Sequence, residues 1–361
     1  MGSSHDEVAA PLLAWFEQHG RHDLPWQVAD PYRVWVSEIM LQQTQVATVV
    51  EYYTRFVARF AALDVLAAAT LDEVLHLWSG LGYYARARNL HAAARRVVVH
   101  HGGRLPRDFD LLQSLPGIGR STAAAVLALT WGDRYAILDG NVKRVLGRYH
   151  RIAGWPGVAS VAREYWQTAE RHTPHQRVRD YTQAIMDLGA SVCTRAAPAC
   201  SSCPLQGGCA GAAHGDLLDY PHRKPKTTKP TRCRTLLVIR RDDGSLLLEK
   251  RPPTGIWGGL WSFPERHAAA AQEIADWCES LCGAPAASVR FLPAFEHLFT
   301  HFRLLAEPVL CSVPCEQTGL MEADSRLWYN PKQSDAVGLA APVRRLIERL
   351  SRPDPILNPA E

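Results

Sequence analysis

The chain has 361 residues, 47% of them apolar and 21% charged, which is enough to bury cores in two or three domains of ordinary size and excludes disordered and fibrous classes. No apolar run approaches the roughly 18 residues of a membrane span, the nearest being Ala123 to Trp131, and the N-terminus carries Asp6, Glu7 and Glu17 instead of the basic and apolar regions of a secretory signal, so a cytoplasmic protein is expected. The net charge of +4 divides unevenly, with +3 over residues 1–215, +4 over 216–235 and −3 over 236–361, a pattern compatible with a polyanion held by the first two segments.

From Pro11 to about Ala213, apolar residues recur at three- and four-residue spacing and helix formers dominate. This predicts helices over 31–41, 45–59, 72–79, 85–101, 120–130, 141–150, 159–173 and 178–190, with no strand. The stretch 220–230, rich in Pro, Lys and Thr, reads as an extended basic linker. Beyond it, β-type runs at 234–240 and 245–250 flank Asp242-Asp243-Gly244, a hairpin signal. A helix over 268–282, strands near 291–295, 300–305 and 309–313, and a closing helix over 337–350 complete the pattern. The expected organisation is an all-α domain over 1–215, a linker over 216–232 and an α+β domain over 233–361.

Nine cysteines in a chain without a signal argue against a disulfide framework. Four fall together, Cys193, Cys200, Cys203 and Cys209, spaced C-x6-C-x2-C-x5-C. So close a grouping is better explained by a soft metal centre than by packing. Four-cysteine zinc sites usually pair two Cys-x2-Cys knuckles across a longer stretch; a single compact loop suits the wider corners of a [4Fe-4S] cluster, and zinc is the alternative. Cys233, Cys278, Cys282, Cys311 and Cys315 are scattered and are expected in packing roles.

Leu115-Pro116-Gly117-Ile118-Gly119-Arg120 separates two predicted helices. The two glycines permit a sharp turn, and the unpaired N–H groups of the next helix, with Ser121 and Thr122, suit a phosphate. Glu38 falls among Val34, Trp35 and Leu41 on the apolar stripe of its helix. If desolvated there, it stays protonated near neutrality as a general acid; at the edge of the stripe it reaches water. Asp139 follows the apolar run 135–138 and precedes Gly140-Asn141-Val142-Lys143. It is expected to cap the following helix and, held ionised by the same N–H groups, to supply a low-pKa carboxylate. Such a pair is the equipment for cleaving a glycosidic bond through an oxocarbenium-like transition state.

These residues, together with Leu24-Pro25-Trp26, the stretch 37–46, Gly80-Leu81-Gly82-Tyr83-Tyr84-Ala85-Arg86-Ala87, Leu138-Asp139-Gly140-Asn141-Val142-Lys143-Arg144 and Asp187-Leu188-Gly189, resemble the helix-hairpin-helix, iron–sulfur DNA glycosylase superfamily that contains endonuclease III. Within it the chain resembles the adenine DNA glycosylase (MutY) family along nearly its whole length. The resemblance implies a six-helix lobe plus an iron–sulfur lobe, followed by an α+β Nudix-like domain. It implies a monomeric, nucleoid-associated base-excision-repair enzyme that acts on duplex DNA, removes adenine mispaired with 8-oxoguanine or guanine, and works beside repair or replication proteins.

The resemblance further implies that Glu38 protonates the base, Asp139 supports the sugar cation, and Trp26, Ser121, Asn141 and Gln183 line the pocket. Gln42, Gln43 and Tyr83 would wedge into the duplex, with Gly117, Gly119, Arg120 and Lys143 binding DNA, and Cys193, Cys200, Cys203 and Cys209 would ligate the [4Fe-4S] cluster. Endonuclease III has a lysine at the position of Ser121, and a serine cannot form its Schiff base, so no efficient strand cutting is expected. Trp257 to Pro264 resembles the approach to a Nudix helix, yet 268–279 offers only Glu273, Asp276 and Glu279, which disfavours diphosphate hydrolysis and leaves 8-oxoguanine recognition through Phe299, Thr300 and His301. Rival readings are a glycosylase for thymine opposite guanine and a non-catalytic, cluster-bearing DNA-binding protein.

Overall fold

Capping side chains and prolines set where the helices begin. Asp30 accepts the Tyr32 N–H with Pro31 in the first turn of helix Pro31–Leu41, and Thr70 with Glu73 forms a capping box on Leu71–Leu77. The computed structural model describes residues 6–225, 228–267, 271–315, 325–332 and 337–351. Packing divides the chain into two units, Met1–Ala68 with Asn89–Lys226, and Ala69–Arg88 with Thr227–Glu361. The stretch 69–88 therefore packs with the C-terminal residues, although the sequence alone placed it in the 1–215 domain.

The only regular elements among the described residues of the first unit are helices. Helix Arg120–Trp131, which contains the short apolar run noted above, is a buried core helix that packs against helix Pro31–Leu41 and gives Ala124 and Ala125 to a second core. Gly119 caps its start, and Gly117 turns the hairpin at φ +78°, a conformation that favours glycine. That second core joins Val8, Leu12 and Phe16 of the first helix to Val145, Leu146, Tyr165, Ile185 and Leu188, and Cys193, Cys203 and Cys209 pack against it. The helix expected to reach residue 190 is α-helical only over Val178–Asp187; a wider π turn, Leu188–Val192, then delivers Cys193.

The second unit contains a mixed sheet of β1 (Thr231–Arg241), β2 (Leu246–Lys250), β3 (Trp261–Ser262), β4 (Glu265–Arg266), β5 (Ser288–Phe291), β6 (Phe295–Leu298), β7 (Arg303–Val313) and β8 (Arg326–Tyr329). The order is β3-β2-β1-β7-β5, with β4 beside β1, β6 beside β7 and β8 beside β2. β1 and β7 pair in parallel over Thr231↔Arg303 to Arg241↔Val313. Helix Ala271–Cys282 buries Ile274, Trp277, Cys278 and Leu281 against Leu237, Ile239 and Val309; residues 268–270 of the expected helix lie outside the described residues.

The predicted strand at 291–295 instead joins the end of β5 at Phe291 to the start of β6 at Phe295, with 292–294 between them outside either strand. The two strands expected at 300–305 and 309–313 are one, because Pro308, which cannot donate, still accepts the Leu292 N–H at 2.9 Å and does not break β7. The closing helix starts only at Ala341, since Leu339 pairs with Trp261 and Pro342 occupies the first turn.

Candidate active site

Packing of Pro31–Leu41 on Arg120–Trp131 opens a cavity of about 390 Å³ in the first unit. Trp26, Glu38, Gln42, Gln43, Ser121, Asp139, Asn141 and Gln183 all line it, so one site gathers eight of the residues singled out from sequence. Trp26 forms a buried wall, edge-on to Tyr53. Ser121 Oγ accepts the Leu138 N–H at 2.9 Å and so tethers the strand-like approach to Asp139. Gln42 Nε2 donates to Thr122 Oγ1 at 3.2 Å, and Gln43 stands at φ +60°, an uncommon conformation for a side-chain-bearing residue.

Glu38 has no hydrogen-bond partner among the described residues. Protein surrounds it except where it meets the cavity, which leaves its surface half-buried. Burial, reinforced by the nearby charge of Asp139, pushes its carboxyl up to about 8. Asp139 caps helix Gly140–His150, accepting the Val142 N–H at 2.7 Å on Oδ1 and Asn141 Nδ2 at 3.2 Å on Oδ2. Burial nonetheless moves its carboxyl upward, against the expectation of a low-pKa group. The N–H groups of Val142 and Asn141 and the Arg144 guanidinium oppose that rise without cancelling it. The asymmetry between the two carboxyls survives in a different form: Asp139 has donors that favour its ionised state and Glu38 has none.

Two supporting networks were not picked out from sequence. Arg21 binds the buried Asp187 through its backbone N–H (2.8 Å), Nε (2.9 Å) and Nη2, and Gln183 Nε2 donates to the same carboxylate at 2.8 Å. Arg144 reaches from its helix to Asn141 Oδ1 (2.7 Å), the Gly189 carbonyl (2.6 Å) and the Cys193 carbonyl (2.7 Å). One guanidinium thus joins the Asp139 loop to the first cysteine. The only available signal was the motif context, since Asp187 and Arg144 both fall inside stretches quoted above.

The four cysteines line one small cavity of about 30 Å³ whose other walls include Val145, Leu188, Val192 and Leu205. Arg148 Nη1 donates to Cys193 Sγ at 3.3 Å. Among the described residues no three His, Cys, Asp or Glu side chains converge tightly enough for a single metal ion. Glu273, Asp276 and Glu279, on helix Ala271–Cys282, form no such group either.

Other candidates lie elsewhere. Gly117, Gly119, Arg120 and Lys143 belong to the first unit but not to the cavity lining. Arg120, expected on DNA, pairs with Glu170 and stacks 3.8 Å over Trp166. Tyr83 belongs to the second unit, half-exposed at φ +49°. Phe299, Thr300 and His301 form the turn between β6 and β7; Thr300 and His301 are exposed, while Phe299 packs on Trp257, His297 and Phe302.

Residues 36–171 match the HhH-GPD superfamily of base excision DNA repair proteins, and residues 235–349 match the NUDIX domain. The adenine DNA glycosylase of Buchnera aphidicola subsp. Acyrthosiphon pisum (strain APS) is 35% identical over 352 residues, covering 94% of this chain and 97% of its own. The chain belongs to the adenine DNA glycosylase family. The family's Mus musculus member is 36% identical over 81% of this chain and 68% of its own. A thermostable thymine-DNA glycosylase shares the fold of the helical part, with a TM-score of 0.53 and 28% identity over 58% of this chain and 97% of that one. An endonuclease III–DNA complex gives a TM-score of 0.50 at 24% identity over 57% of this chain and 94% of that one, a likeness of fold alone. The adenine glycosylase match covers 94% of this chain, against 58% for the thymine glycosylase likeness.

Proposed function

We propose that this member of the adenine DNA glycosylase family removes adenine paired with 8-oxoguanine or guanine in duplex DNA by acid-assisted hydrolysis, and that it leaves the strand uncut. The observation that carries this reading is the pair of half-buried carboxyls in one cavity, Glu38 without donors and Asp139 with them. Flipping the adenine out costs a few kcal/mol, less at a mismatch, and Gln42, Gln43 and Tyr83 are the wedge.

Glu38, protonated at neutral pH, donates its proton to a ring nitrogen of adenine, and the glycosidic bond electrons leave with the neutral base. The Asp139 carboxylate supports the resulting cation at C1′. Glu38, now ionised, takes a proton from water as its oxygen bonds to C1′, which restores the starting protonation. Asn141, steadied by Arg144, and Gln183, steadied by Asp187, hold the base and sugar in place.

The cavity lining contains no lysine, and the Ser121 hydroxyl cannot form the imine that strand cleavage by elimination requires. The test is single-turnover reaction of duplexes bearing adenine opposite 8-oxoguanine, adenine opposite guanine and thymine opposite guanine, each with and without alkali. Breaks only after alkali and only with the adenine duplexes are expected; thymine release or alkali-independent breaks would overturn the reading.

Cys193, Cys200, Cys203 and Cys209 suit a [4Fe-4S] cluster. They share one apolar cavity, and burial with the neighbouring sulfurs pushes the Cys203 thiol up to about 11, a cost that a cationic centre would offset. Such a group, when bound, cross-links the loop and offers one-electron chemistry. Purified protein is expected to be brown, with about four irons per chain, and Cys200→Ala to lose most of that iron; stoichiometric zinc would reverse the assignment.

The exposed Thr300 and His301 are the readers of 8-oxoguanine, presented by a turn whose Phe299 N–H donates to the Phe302 carbonyl at 2.9 Å. His301→Ala should reduce the preference for adenine opposite 8-oxoguanine over adenine opposite guanine by about five- to tenfold while leaving the guanine-paired rate near wild type. An unchanged preference would exclude His301 as a reader.

A further inference from the structure

Tyr83 sits on a prebuilt loop. Gly80 and Gly82 flank it at φ +106° and +76°, the Trp78 indole N–H and Arg86 Nη2 both donate to the Gly82 carbonyl, at 3.2 and 3.1 Å, and the Arg86 guanidinium lies 5.6 Å from the Tyr83 ring centroid. Outside this internal frame the loop is fastened to the C-terminal part of its own unit. Ser79 Oγ donates to the Leu339 carbonyl at 3.0 Å. Tyr84 Oη donates to the same carbonyl at 3.2 Å and accepts the Gly80 N–H at 3.3 Å. Both hydroxyl-bearing residues and Leu339 are buried.

Flanking contacts repeat the attachment. Arg88 Nη1 donates to the Gly258 carbonyl at 2.7 Å and Lys250 Nζ pairs with Asp72 at 2.8 Å. A Cβ on Gly338 would stand 2.6 Å from Leu75 Cβ, so the backbone meets that helix with no room for a side chain.

We infer that the wedge loop is mechanically part of the lesion reader: Ser79 and Tyr84 are positioning residues that fix Tyr83 through the Leu339 carbonyl, so that recognition at Thr300 and His301 sets how Tyr83 enters the duplex. This rests on the wedge role of Tyr83 given above. Leu339 is itself seated by the sheet, where Trp261 donates to the Gly338 carbonyl at 2.8 Å. The path from reader to wedge therefore runs through packed backbone within one unit, β7 to β1 to β2 to β3 to 338–339. Removing the two hydroxyls leaves the carbonyl without its donors and frees the loop from this seat.

The test compares wild type with Ser79→Ala, Tyr84→Phe and the double variant in single-turnover excision opposite 8-oxoguanine and opposite guanine, with 2-aminopurine fluorescence reporting base flipping. Each single change is expected to lower the 8-oxoguanine rate about fivefold and the double variant more than either. The guanine-paired rate should change by less than about twofold, and flipping opposite 8-oxoguanine should weaken in step with excision. Ser79→Thr, which keeps the hydroxyl, should restore the preference. Equal losses on both duplexes, or an unchanged ratio, would overturn the coupling, and the single variants give the same ratio should the double variant not fold. Tyr83→Ala separates the two levels. If it leaves both rates intact, the wedge reading itself fails; if it slows excision while the Ser79 and Tyr84 variants keep the wild-type ratio, only the coupling fails.

Discussion

Glu38→Gln is expected to slow single-turnover adenine excision by about 10³-fold or more while duplex affinity stays within about twofold. Glutamine keeps the shape of the side chain and its place on the cavity wall, so the DNA contacts persist. It can neither give a proton to the base nor take one from water, so both chemical steps are lost together. The wild-type pH profile follows from the same group. With its carboxyl pushed up to about 8, Glu38 is protonated through neutrality, and excision should fall as pH rises through that value. Wild-type stability falls over the same pH range, for the same reason. A carboxyl that titrates near 4.5 when unfolded and near 8 when folded imposes no cost below the lower value, a growing cost between them and a constant cost above. Glu38→Gln should therefore match wild type in denaturant titrations at pH 4 and exceed it by about 2 kcal/mol at pH 9, a figure reduced for the water that reaches the cavity. A variant that is less stable at pH 9, or that still excises adenine near the wild-type rate, would remove Glu38 from the acid role.

Local features of the chain were legible where their cause is local. The helical body, the Asp242-Asp243-Gly244 hairpin, the turn at Gly117 and the cap at Asp139 depend on periodicity, glycine and side-chain oxygens a few residues away, and the structure has them. What stayed hidden depends on distance in sequence. The direction of the Asp139 carboxyl reverses because burial among remote residues exceeds the helix N–H groups, and no local pattern encodes that balance. Arg21 and Asp187 are 166 residues apart. The hairpin motif marks Arg120 but not its partners Glu170 and Trp166, which lie on another helix. The stretch 69–88 looks like any other helical segment, and only its partners Gly258, Leu339 and Lys250 assign it to the second unit. The single strand β7 was likewise hidden, since Pro308 sits inside it and keeps its carbonyl bonded to the Leu292 N–H.

Asp139→Asn separates the two tasks that one side chain performs. As the cap of helix Gly140–His150, Asp139 uses a single oxygen to accept the Val142 N–H, and asparagine is an equally good cap. The variant should therefore melt within about a degree of wild type. In the proposed mechanism Asp139 also faces the sugar cation and supplies charge, which asparagine lacks, so excision should fall by about 10²- to 10³-fold. The loss is thereby assigned to charge and not to a frayed helix. A second consequence reaches Glu38. Part of its upward shift comes from the neighbouring Asp139 charge. Without that charge the ionised form of Glu38 costs less, so the high-pH limb of the residual activity should move below the wild-type position near 8. Measuring rate against pH for both proteins checks magnitude and direction at once. A slow variant whose limb stays in place would mean that burial alone sets Glu38. Loss of activity and melting temperature together would leave Asp139 no role beyond the cap.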